Sequence, residues 1–389
     1  MQYNFDKIIN RDRTASVKFD LRKEVFGKAD ILPMWVADMD FETPGFVIEA
    51  LRKRLDHPVL GYSYRPDSYY HSIINWVKRR HRWTIKQEWI SFSPGIVPAI
   101  NMAMMAFTEP GDKIIVQPPV YHPFFSAIKN NHRVQVENPL KLKKDRYFMD
   151  FEDLKVKLKN ARMILLSNPH NPGGSVWTKE ELQTLGDLCV ENDVLIMADE
   201  IHSDLVFKPA KYVPMASVSP EIARQTVTFI APSKTFNMAG LATSSVITSN
   251  PSLKEKYDQM LDTIHIGMGN IFGTVASEAA YTHGDEWLDE LLEYLSQNMD
   301  YTEQFITDYL PEIKIIRPEG TYLMWLDCSG LDLKNKDLKD FMIQDAGLGF
   351  NDGRMFGTGG EQFMRMNVAC PKVTIKQALT KLKEAVHQL

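Results

Sequence analysis

Residues 231–237, Ala-Pro-Ser-Lys-Thr-Phe-Asn, place a lysine directly after an apolar run (227–230) that has the composition of a buried strand. Two polar stretches upstream repeat this arrangement. Residues 168–173, Asn-Pro-His-Asn-Pro-Gly, follow the apolar run 163–166, and residues 198–204, Ala-Asp-Glu-Ile-His-Ser-Asp, follow 194–197. Because ligands collect at the carboxyl ends of strands in an open α/β sheet, we expect all three stretches to meet at one site.

The side chains delivered there form a recognisable chemical set. Lys234 offers an amine that can form a Schiff base with an aldehyde. Asp199 offers a carboxylate that can pair with a protonated pyridine nitrogen, and Asn171 offers an amide that can donate to a phenolic oxygen. These are the groups that pyridoxal phosphate requires. The apolar neighbours of Lys234 argue against a solvated surface lysine, and we expect burial to lower its pKa.

Two further features could hold the phosphate and the ring of such a cofactor. Gly95 ends a Ser-Pro-Gly turn before an apolar helix (96–107), whose free N–H groups suit a phosphate, and Ser233 could add a hydroxyl. Tyr121 follows a predicted strand at 113–117 and could stack on the ring, although a tyrosine of the hydrophobic core is an equal alternative.

Arg365 and His202 each have two interpretations. Arg365 lies in an apolar strand-like run (363–368), where its guanidinium needs an anion, either a substrate carboxylate or the carboxylate of a structural salt bridge. His202 follows Asp199 by three residues and could orient that carboxylate, or it could be a buried histidine with a structural role. Glu200 is expected to face away from the site and to act structurally.

Composition excludes several other classes of protein. The 389-residue chain carries a net charge of −5, which gives no electrostatic reason to expect binding to nucleic acid or to an anionic membrane. Its three widely separated cysteines indicate neither a disulfide framework nor a metal site. No signal-peptide core precedes residue 7, and no apolar stretch reaches the ~18 residues needed to span a bilayer. We therefore expect a cytoplasmic protein.

Strands and helices alternate over residues 91–248, which predicts an α/β fold with a mainly parallel sheet and helices on both faces. Thr178 and Glu181 predict a capping box at the start of one of these helices. Residues 1–40 show no regular pattern. We predict a large domain at 44–285 and a smaller, discontinuous α+β domain formed by 1–43 and 286–389, the latter with helices at 285–309, 336–346 and 374–389.

The whole chain resembles the fold-type I pyridoxal-phosphate enzymes of the class I/II aminotransferase superfamily, whose fold is that of aspartate aminotransferase. Residues 32–41, Leu-Pro-Met-Trp-Val-Ala-Asp-Met-Asp-Phe, resemble the signature of the branch of cystathionine β-lyases and other C–S lyases. The stretches 61–64, 199–204, 233–237 and 365–371 support the same branch.

The resemblance implies roles for individual residues. Lys234 would hold the pyridoxal phosphate covalently and Arg365 would bind the substrate carboxylate, while Gly95, Ile96 and Ser233 would hold the phosphate. Asp199, Asn171 and Tyr121 would contact the cofactor ring as described above, with His202 beside them, and Tyr121 and Asn171 would also contact the substrate. The resemblance also implies a homodimer with shared active sites, in which Tyr62 rather than Tyr64 reaches the neighbouring subunit's phosphate.

The implied reaction is α,β-elimination of a sulfur amino acid, with L-cystathionine first and cysteine or cystine next. An aminotransferase is the alternative, and a pyridoxal-phosphate-binding regulator is a third hypothesis. Two departures from the superfamily pattern bear on this choice. Ala242 stands where many aminotransferases carry a phosphate-binding arginine, which favours the lyase, and Asp352 stands where a proline is expected, close to the substrate.

Overall fold

The structure is a computed structural model that describes residues 2–334 and 336–389, so expectations that include Met1 or Asn335 lie outside the described residues at those two positions. The strands, in chain order, are β1 (Leu32–Pro33), β2 (Ile90–Ser93), β3 (Lys113–Val116), β4 (Val134–Glu137), β5 (Lys141–Lys143), β6 (Arg146–Phe148), β7 (Met163–Ser167), β8 (Leu195–Asp199), β9 (Thr226–Ile230), β10 (Ser244–Ile247), β11 (Lys314–Ile316), β12 (Leu323–Asp327), β13 (Leu348–Gly349), β14 (Asn351–Asp352) and β15 (Phe363–Asn367).

The helices are α1 (Val17–Asp20), α2 (Arg22–Phe26), α3 (Gly45–Leu55), α4 (Asp67–His81), α5 (Ile96–Phe107), α6 (Pro123–Asn130), α7 (Phe151–Leu158), α8 (Lys179–Glu191), α9 (Pro220–Gln225), α10 (Pro232–Thr235), α11 (Pro251–Thr263), α12 (Ile271–His283), α13 (Asp285–Tyr309), α14 (Leu338–Asp340) and α15 (Lys372–Val386). Short 3₁₀ segments lie at Gln87–Trp89, Met215–Ser217, Ala239–Leu241 and Gly353–Phe356, and a π-turn lies at Phe341–Asp345.

The central sheet has seven strands in the order β2-β10-β9-β8-β7-β3-β4. All of its strands run in one direction except β10, which is antiparallel to both β9 and β2. This confirms the predicted α/β fold with a mainly parallel sheet. Strands β7, β8 and β9 are adjacent, and each is buried along its whole length. Their carboxyl ends therefore lie side by side, with Ser167 opposite Asp199 and Asp199 opposite Phe229.

Alternate residues of these strands face opposite helical layers. Met163 and Leu165 belong to a hydrophobic cluster that includes residues of α5, α6 and α11, whereas Ile164 and Leu166 belong to one that includes residues of α7, α8 and α9. Each such fully buried side chain stabilises the fold by about 1.5–3 kcal/mol. The predicted capping box at the start of α8 is confirmed, since Thr178 and Glu181 exchange side-chain-to-backbone hydrogen bonds.

A second sheet, β11-β12-β15-β14, is antiparallel throughout and places Arg365 in the middle of β15. Residues of both of its central strands join a hydrophobic cluster with residues of α13 and α15 and with Phe5, Met34 and Phe41 of the N-terminal segment. Strand β1 also pairs with β13. The N-terminal segment thus packs with the C-terminal part of the chain. The division at residues 43/44 and 285/286 stays a prediction.

Three details differ from the expectations. Residues 1–40 are not wholly irregular, because α1, α2 and β1 lie within them. The helix expected at 336–346 is the short α14 followed by the π-turn. Strands β2 and β10 were not predicted as a pair at the sheet edge, nor was the β5–β6 hairpin. Within the described ranges no helix is long and apolar enough to cross a membrane, and no group of three or more His, Cys, Asp or Glu could hold a metal ion.

Candidate active site

A cavity of about 430 Å³ lies where β7, β8 and β9 end, between the central sheet and β15. It is lined by the predicted residues Gly95, Ile96, Tyr121, Asn171, Asp199, His202, Ser233, Lys234 and Arg365. It is also lined by residues that were not predicted, among them Trp35, Val36, Ala37, His122, Asn351 and Met355. Of the predicted set, only Tyr62 lies elsewhere.

Lys234 lies in α10, a single helical turn that begins directly after β9. Its Nζ donates a hydrogen bond of 2.6 Å to the carbonyl oxygen of Ala37. Burial lowers the pKa of Lys234 to about 8, although the negative charges of Asp38 and Asp199 partly oppose this shift. An amine with such a pKa is partly uncharged near neutral pH, which a nucleophile or a base requires.

Asp199 is the last residue of β8 and is buried. Its Oδ1 accepts a hydrogen bond of 3.3 Å from the backbone N–H of Ile201. No lysine, arginine or histidine of the described residues forms an ion pair with it, and burial raises its pKa to about 7. A buried carboxylate without a cation is costly, so this position is suited to a positively charged ring nitrogen.

Arg365 is 4% exposed and is held by neutral acceptors. Its guanidinium donates to Asn171 Oδ1 at 2.8 Å, to Asn351 Oδ1 at 2.6 Å and to the carbonyl oxygen of Trp35 at 3.1 Å. Its Nε has no hydrogen-bond partner.

Neither Asp nor Glu among the described residues forms a salt bridge with Arg365. The structural salt bridge considered for this arginine is therefore not observed. Burial lowers the pKa of Arg365 to about 10. A carboxylate that enters the cavity would restore the missing counter-charge.

The phosphate-binding and ring-binding candidates surround these three ionisable groups. Gly95 is the N-cap of α5 and provides no side-chain cap, so the first N–H groups of the helix lack a side-chain acceptor, and this first turn lines the cavity. Gly95 has an extended backbone, and a Cβ there would contact only Pro98 at 3.5 Å, so steric demand does not require glycine. Asn171 uses its Oδ1 on Arg365, which leaves its amide N–H groups for a ligand. Tyr121 is largely buried, and burial raises its pKa to about 12.

His202 does not hydrogen-bond to Asp199. Its ring packs edge-on against Tyr322 at 6.1 Å between ring centroids, and its Nδ1 has no partner. Burial keeps its pKa well below the usual range, so the imidazole is neutral. The structure therefore provides no hydrogen bond by which His202 would orient the carboxylate.

Tyr62 lies outside the cavity of its own chain. Its side chain is 97% exposed and borders a surface groove with Arg65, Phe92 and Met268. Tyr64, the other tyrosine of this segment, is also exposed. Neither tyrosine lines the cavity of its own chain.

Sequence reasoning missed the contribution of main-chain carbonyls and of two side chains, His122 and Asn351. The carbonyl oxygens of Trp35 and Ala37 accept from Arg365 and Lys234, respectively, and carbonyl acceptors have no side-chain signature. His122 follows Tyr121, and burial lowers the pKa of His122 to about 4, which makes it an uncharged part of the wall. Asn351 comes from β14, adjacent to Asp352.

Asp352, which stands at the expected proline, has a structural explanation. Its Oδ1 accepts from the backbone N–H of Arg354 at 2.9 Å and caps the 3₁₀ turn Gly353–Phe356. Its carboxylate also pairs with the guanidinium of Arg354, which in turn bonds to Asp337. The side chain thus fixes the loop by hydrogen bonding where a proline would fix it by ring closure.

The arrangement fits pyridoxal phosphate. A buried carboxylate without a cation, an amine with a lowered pKa, an uncapped helix N-terminus and a buried guanidinium without an anion border one cavity. Each of these groups lacks the partner that the cofactor or an amino acid bound to it would supply.

Comparisons with known proteins agree with this geometry. The family model for aminotransferase class I and II matches residues 29–382. Cystathionine beta-lyase PatB of Bacillus subtilis is 44% identical over 385 residues, which cover 98% of this chain and all of the relative. The crystal structure of cystalysin from Treponema denticola, which contains a pyridoxal 5′-phosphate cofactor, is 38% identical and covers both chains fully with a TM-score of 0.96. A PLP-bound C–S lyase from Staphylococcus hominis is 36% identical, covers 99% of this chain and 98% of that chain, and has a TM-score of 0.94.

The cost of burying Asp199 gives a first testable prediction. Its pKa is raised from 3.8 to about 7, so the folded protein binds its proton more tightly than the unfolded chain does. The stability that this proton provides is lost as pH rises between these two values. In protein freed of bound ligand, Asp199→Asn should therefore increase the free energy of unfolding at about pH 8 by on the order of 2–4 kcal/mol relative to wild type, with little effect at about pH 4.

Urea unfolding at both pH values measures this difference. Glu200, whose pKa burial also raises, is present in both proteins, so the cost of its own burial cancels; the charge of Asp199 adds to that rise, and Asp199→Asn removes this addition as well. An equal difference at the two pH values would contradict the assignment of the cost to this carboxylate.

Proposed function

The chain belongs to the class I and II aminotransferase family, and we propose that within this family it is a pyridoxal-phosphate-dependent carbon–sulfur lyase. Its substrate would be L-cystathionine, with cysteine and cystine as close alternatives. The observation that carries the proposal is the meeting of Lys234, Asp199 and Arg365 in one cavity, each without its counter-charge. The full-length likeness to cystathionine beta-lyase PatB supports the choice of reaction.

We propose that the cofactor is held at five points. Lys234 holds its aldehyde carbon, Asp199 pairs with its ring nitrogen and Asn171 donates to its phenolic oxygen. Tyr121 covers the ring. The N–H groups of Gly95 and Ile96, with the hydroxyl of Ser233, hold the phosphate. When bound, pyridoxal 5′-phosphate withdraws electrons from the substrate and makes its α-hydrogen acidic.

The residues of the chain then perform three tasks. The Arg365 guanidinium binds the α-carboxylate of the substrate, which positions the α-hydrogen for removal. Lys234 takes this proton at Nζ, and the carbonyl of Ala37, at 2.6 Å, accepts a hydrogen bond from the protonated amine. Asp199 stays ionised beside the ring nitrogen and stabilises its positive charge.

The net reaction balances with one molecule of water. The bond between the β-carbon and sulfur breaks, and its electron pair leaves on sulfur, which takes up a proton to become a thiol. The remaining three-carbon unit is hydrolysed to pyruvate and ammonia. For L-cystathionine the thiol is homocysteine.

Two observations favour the lyase over the aminotransferase. Ala242, in a left-handed backbone conformation at the end of a 3₁₀ turn, stands where many aminotransferases carry an arginine ligand for the phosphate. Cystathionine beta-lyase PatB is also 44% identical to this chain, whereas an aspartate aminotransferase of Pyrococcus horikoshii is 24% identical. The two reactions share all residues up to proton removal, so a direct assay must separate them.

We also propose a homodimer in which Tyr62 completes the phosphate site of the partner. Tyr62 and Tyr64 are exposed together with Val59 and Leu60, which places an apolar segment on the surface where a second copy could cover it. The three cysteines are separate buried thiols, compatible with the reducing cytoplasm that we propose as the location.

The assay for the reaction uses purified protein with L-cystathionine and no keto acid. We expect pyruvate and free thiol in equal amounts, and no product from Lys234→Ala, because that variant lacks both the attachment point and the base. Pyruvate is measured with a coupled dehydrogenase and thiol with a chromogenic reagent. Turnover that occurs only when a keto acid is added would instead identify an aminotransferase.

The role of Arg365 predicts a specific kinetic change. Arg365→Lys keeps a positive charge but loses the planar fork, so KM for the amino-acid substrate should rise about 10- to 100-fold while cofactor affinity is unchanged. The matched control is Arg146→Lys, because Arg146 also makes paired hydrogen bonds of 2.9 Å, with Glu181, but lies outside the cavity. The control should leave KM unchanged. Equal KM values for the two variants would rule out the role of Arg365.

Shared active sites predict complementation between two inactive variants. In a dimer of Lys234→Ala and Tyr62→Ala chains, one site has both defects and the other has neither. After unfolding and refolding at equal amounts, half of the dimers should be mixed, so activity should return to about a quarter of the wild-type value. If Tyr62 acts within its own chain, the refolded mixture should show no more activity than the separate variants.

A further inference from the structure

A buried polar cluster lies behind the cavity, on the side away from the predicted cofactor. Its centre is Asp204, which is 8% exposed. Asp204 Oδ1 accepts from Trp76 Nε1 at 2.9 Å and from His81 Nε2 at 2.8 Å, and its Oδ2 accepts from Thr235 Oγ1 at 2.7 Å. We call these four residues the Asp204 cluster.

The Asp204 cluster joins the two turns that carry the functional residues. Asp204 belongs to the turn that follows β8, whose last residue is Asp199, and Thr235 directly follows Lys234 in α10, the helical turn after β9. The hydrogen bond between Asp204 and Thr235 therefore ties the turn after Asp199 to the turn of Lys234. Trp76 and His81, both from α4, hold the carboxylate from the opposite side.

The turn of Lys234 needs an external support. Helix α10 has only four residues, and no side chain caps its N-terminus. Two backbone hydrogen bonds close its C-terminal end. The N–H of Phe236 donates to the carbonyl of Pro232, and the N–H of Met238 donates to the carbonyl of Ser233. Such a short helix does not define its own orientation, yet the Cα–Cβ direction of Lys234 decides where its amine arrives. Thr235, which is fully buried, is placed to fix that direction.

The carboxylate at the centre of the cluster is ionised. Burial alone would raise the pKa of Asp204, but the hydrogen bonds from His81, Thr235 and Trp76 lower it below its usual value. Hydrogen bonds to a charged acceptor in a buried site are stronger than those between neutral groups, so Asp204 holds Thr235 rigidly.

Glu200, which faces away from the cavity as predicted, accepts from the backbone N–H of Met215 at 2.8 Å and from the hydroxyl of Tyr212.

We propose that Asp204 and Thr235 are positioning residues that set the direction of the Lys234 amine toward the cofactor and the substrate α-carbon. The expected change in kcat rests on the proposed function, whereas the expected orientation of the bound cofactor does not depend on which reaction is catalysed. Neither residue lines the cavity, so neither contacts the substrate.

The test compares Thr235→Val, which keeps the shape but removes the hydroxyl, with Thr235→Ser, which keeps the hydroxyl. Thr235→Val should lower kcat about 10-fold and leave KM within about twofold, because a misdirected base slows proton removal while Arg365 still binds substrate. It should also reduce the visible circular dichroism of the bound cofactor, whose sign and size report the cofactor's orientation in the site. Thr235→Ser should keep both kcat and the visible circular dichroism at their wild-type values.

Thr226→Val is the matched structural control. Thr226 is fully buried at the other end of β9, and its hydroxyl donates to the carbonyl of Ile222 at 2.8 Å. This variant should lose stability without a change in kcat or in visible circular dichroism. If Thr235→Val behaves like Thr226→Val in both measurements, the proposal is wrong.

Two further results keep the test decisive. If Thr235→Val does not fold, Trp76→Phe removes one hydrogen bond to Asp204 while keeping most of the ring packing. Trp76→Phe should lower kcat and the visible circular dichroism, each by less than Thr235→Val would. If both stay at their wild-type values in this variant, the proposal is refuted. If the wild-type protein releases no pyruvate, the proposed function fails, while the circular dichroism comparison still tests the positioning of Lys234.

Discussion

The burial of unpaired charge governs this structure. Asp199, Lys234 and Arg365 lie in one cavity. Burial raises the pKa of Asp199 and lowers the pKa of Lys234 and of Arg365, so it favours the neutral form of each group. A fold built for stability alone would pair or remove these groups. Here they remain separate because the sheet delivers the first two from adjacent strand ends and β15 delivers the third from the facing sheet. The stabilisation that the fold forgoes becomes available to a ligand with complementary charges.

The segment 35–41 connects these elements through its backbone. Its carbonyl oxygens accept hydrogen bonds from side chains of β15, of Tyr322 just before β12 and of the segment that follows β9, namely Arg365 to Trp35, Asn367 to Val36 and Asp38, Lys234 and Tyr322 to Ala37, and Asn237 to Met39 and Phe41. The side chains of Asp38 and Asp40 bind Arg11 and the fully buried Lys18. The segment that resembles the branch signature thus ties the N-terminal chain to Lys234 and to Arg365 at once.

Much of the fold could be predicted from the sequence because apolar runs and the polar residues after them repeat at the spacing of strand and helix. The position of Lys234, Asp199 and Asn171 at neighbouring strand ends follows from this pattern. The carbonyl acceptors of segment 35–41 could not be predicted, since a main-chain oxygen is present at every residue. Asn351 lies in β14, far along the chain from the other polar residues of the site, and the β14–β15 pairing places it beside Arg365. The role predicted for Tyr62 depends on a second copy of the chain, so the structure of one chain does not test it.

The central claim is that a buried, anionic Asp199 holds the cofactor ring in its protonated, electron-accepting form. Nuclear magnetic resonance of the protein loaded with pyridoxal phosphate labelled with nitrogen-15 at the ring nitrogen tests it most directly, because the chemical shift reports the protonation of that atom. The account predicts a protonated ring nitrogen at neutral and mildly alkaline pH in the wild-type protein. An unprotonated ring nitrogen at neutral pH would contradict it.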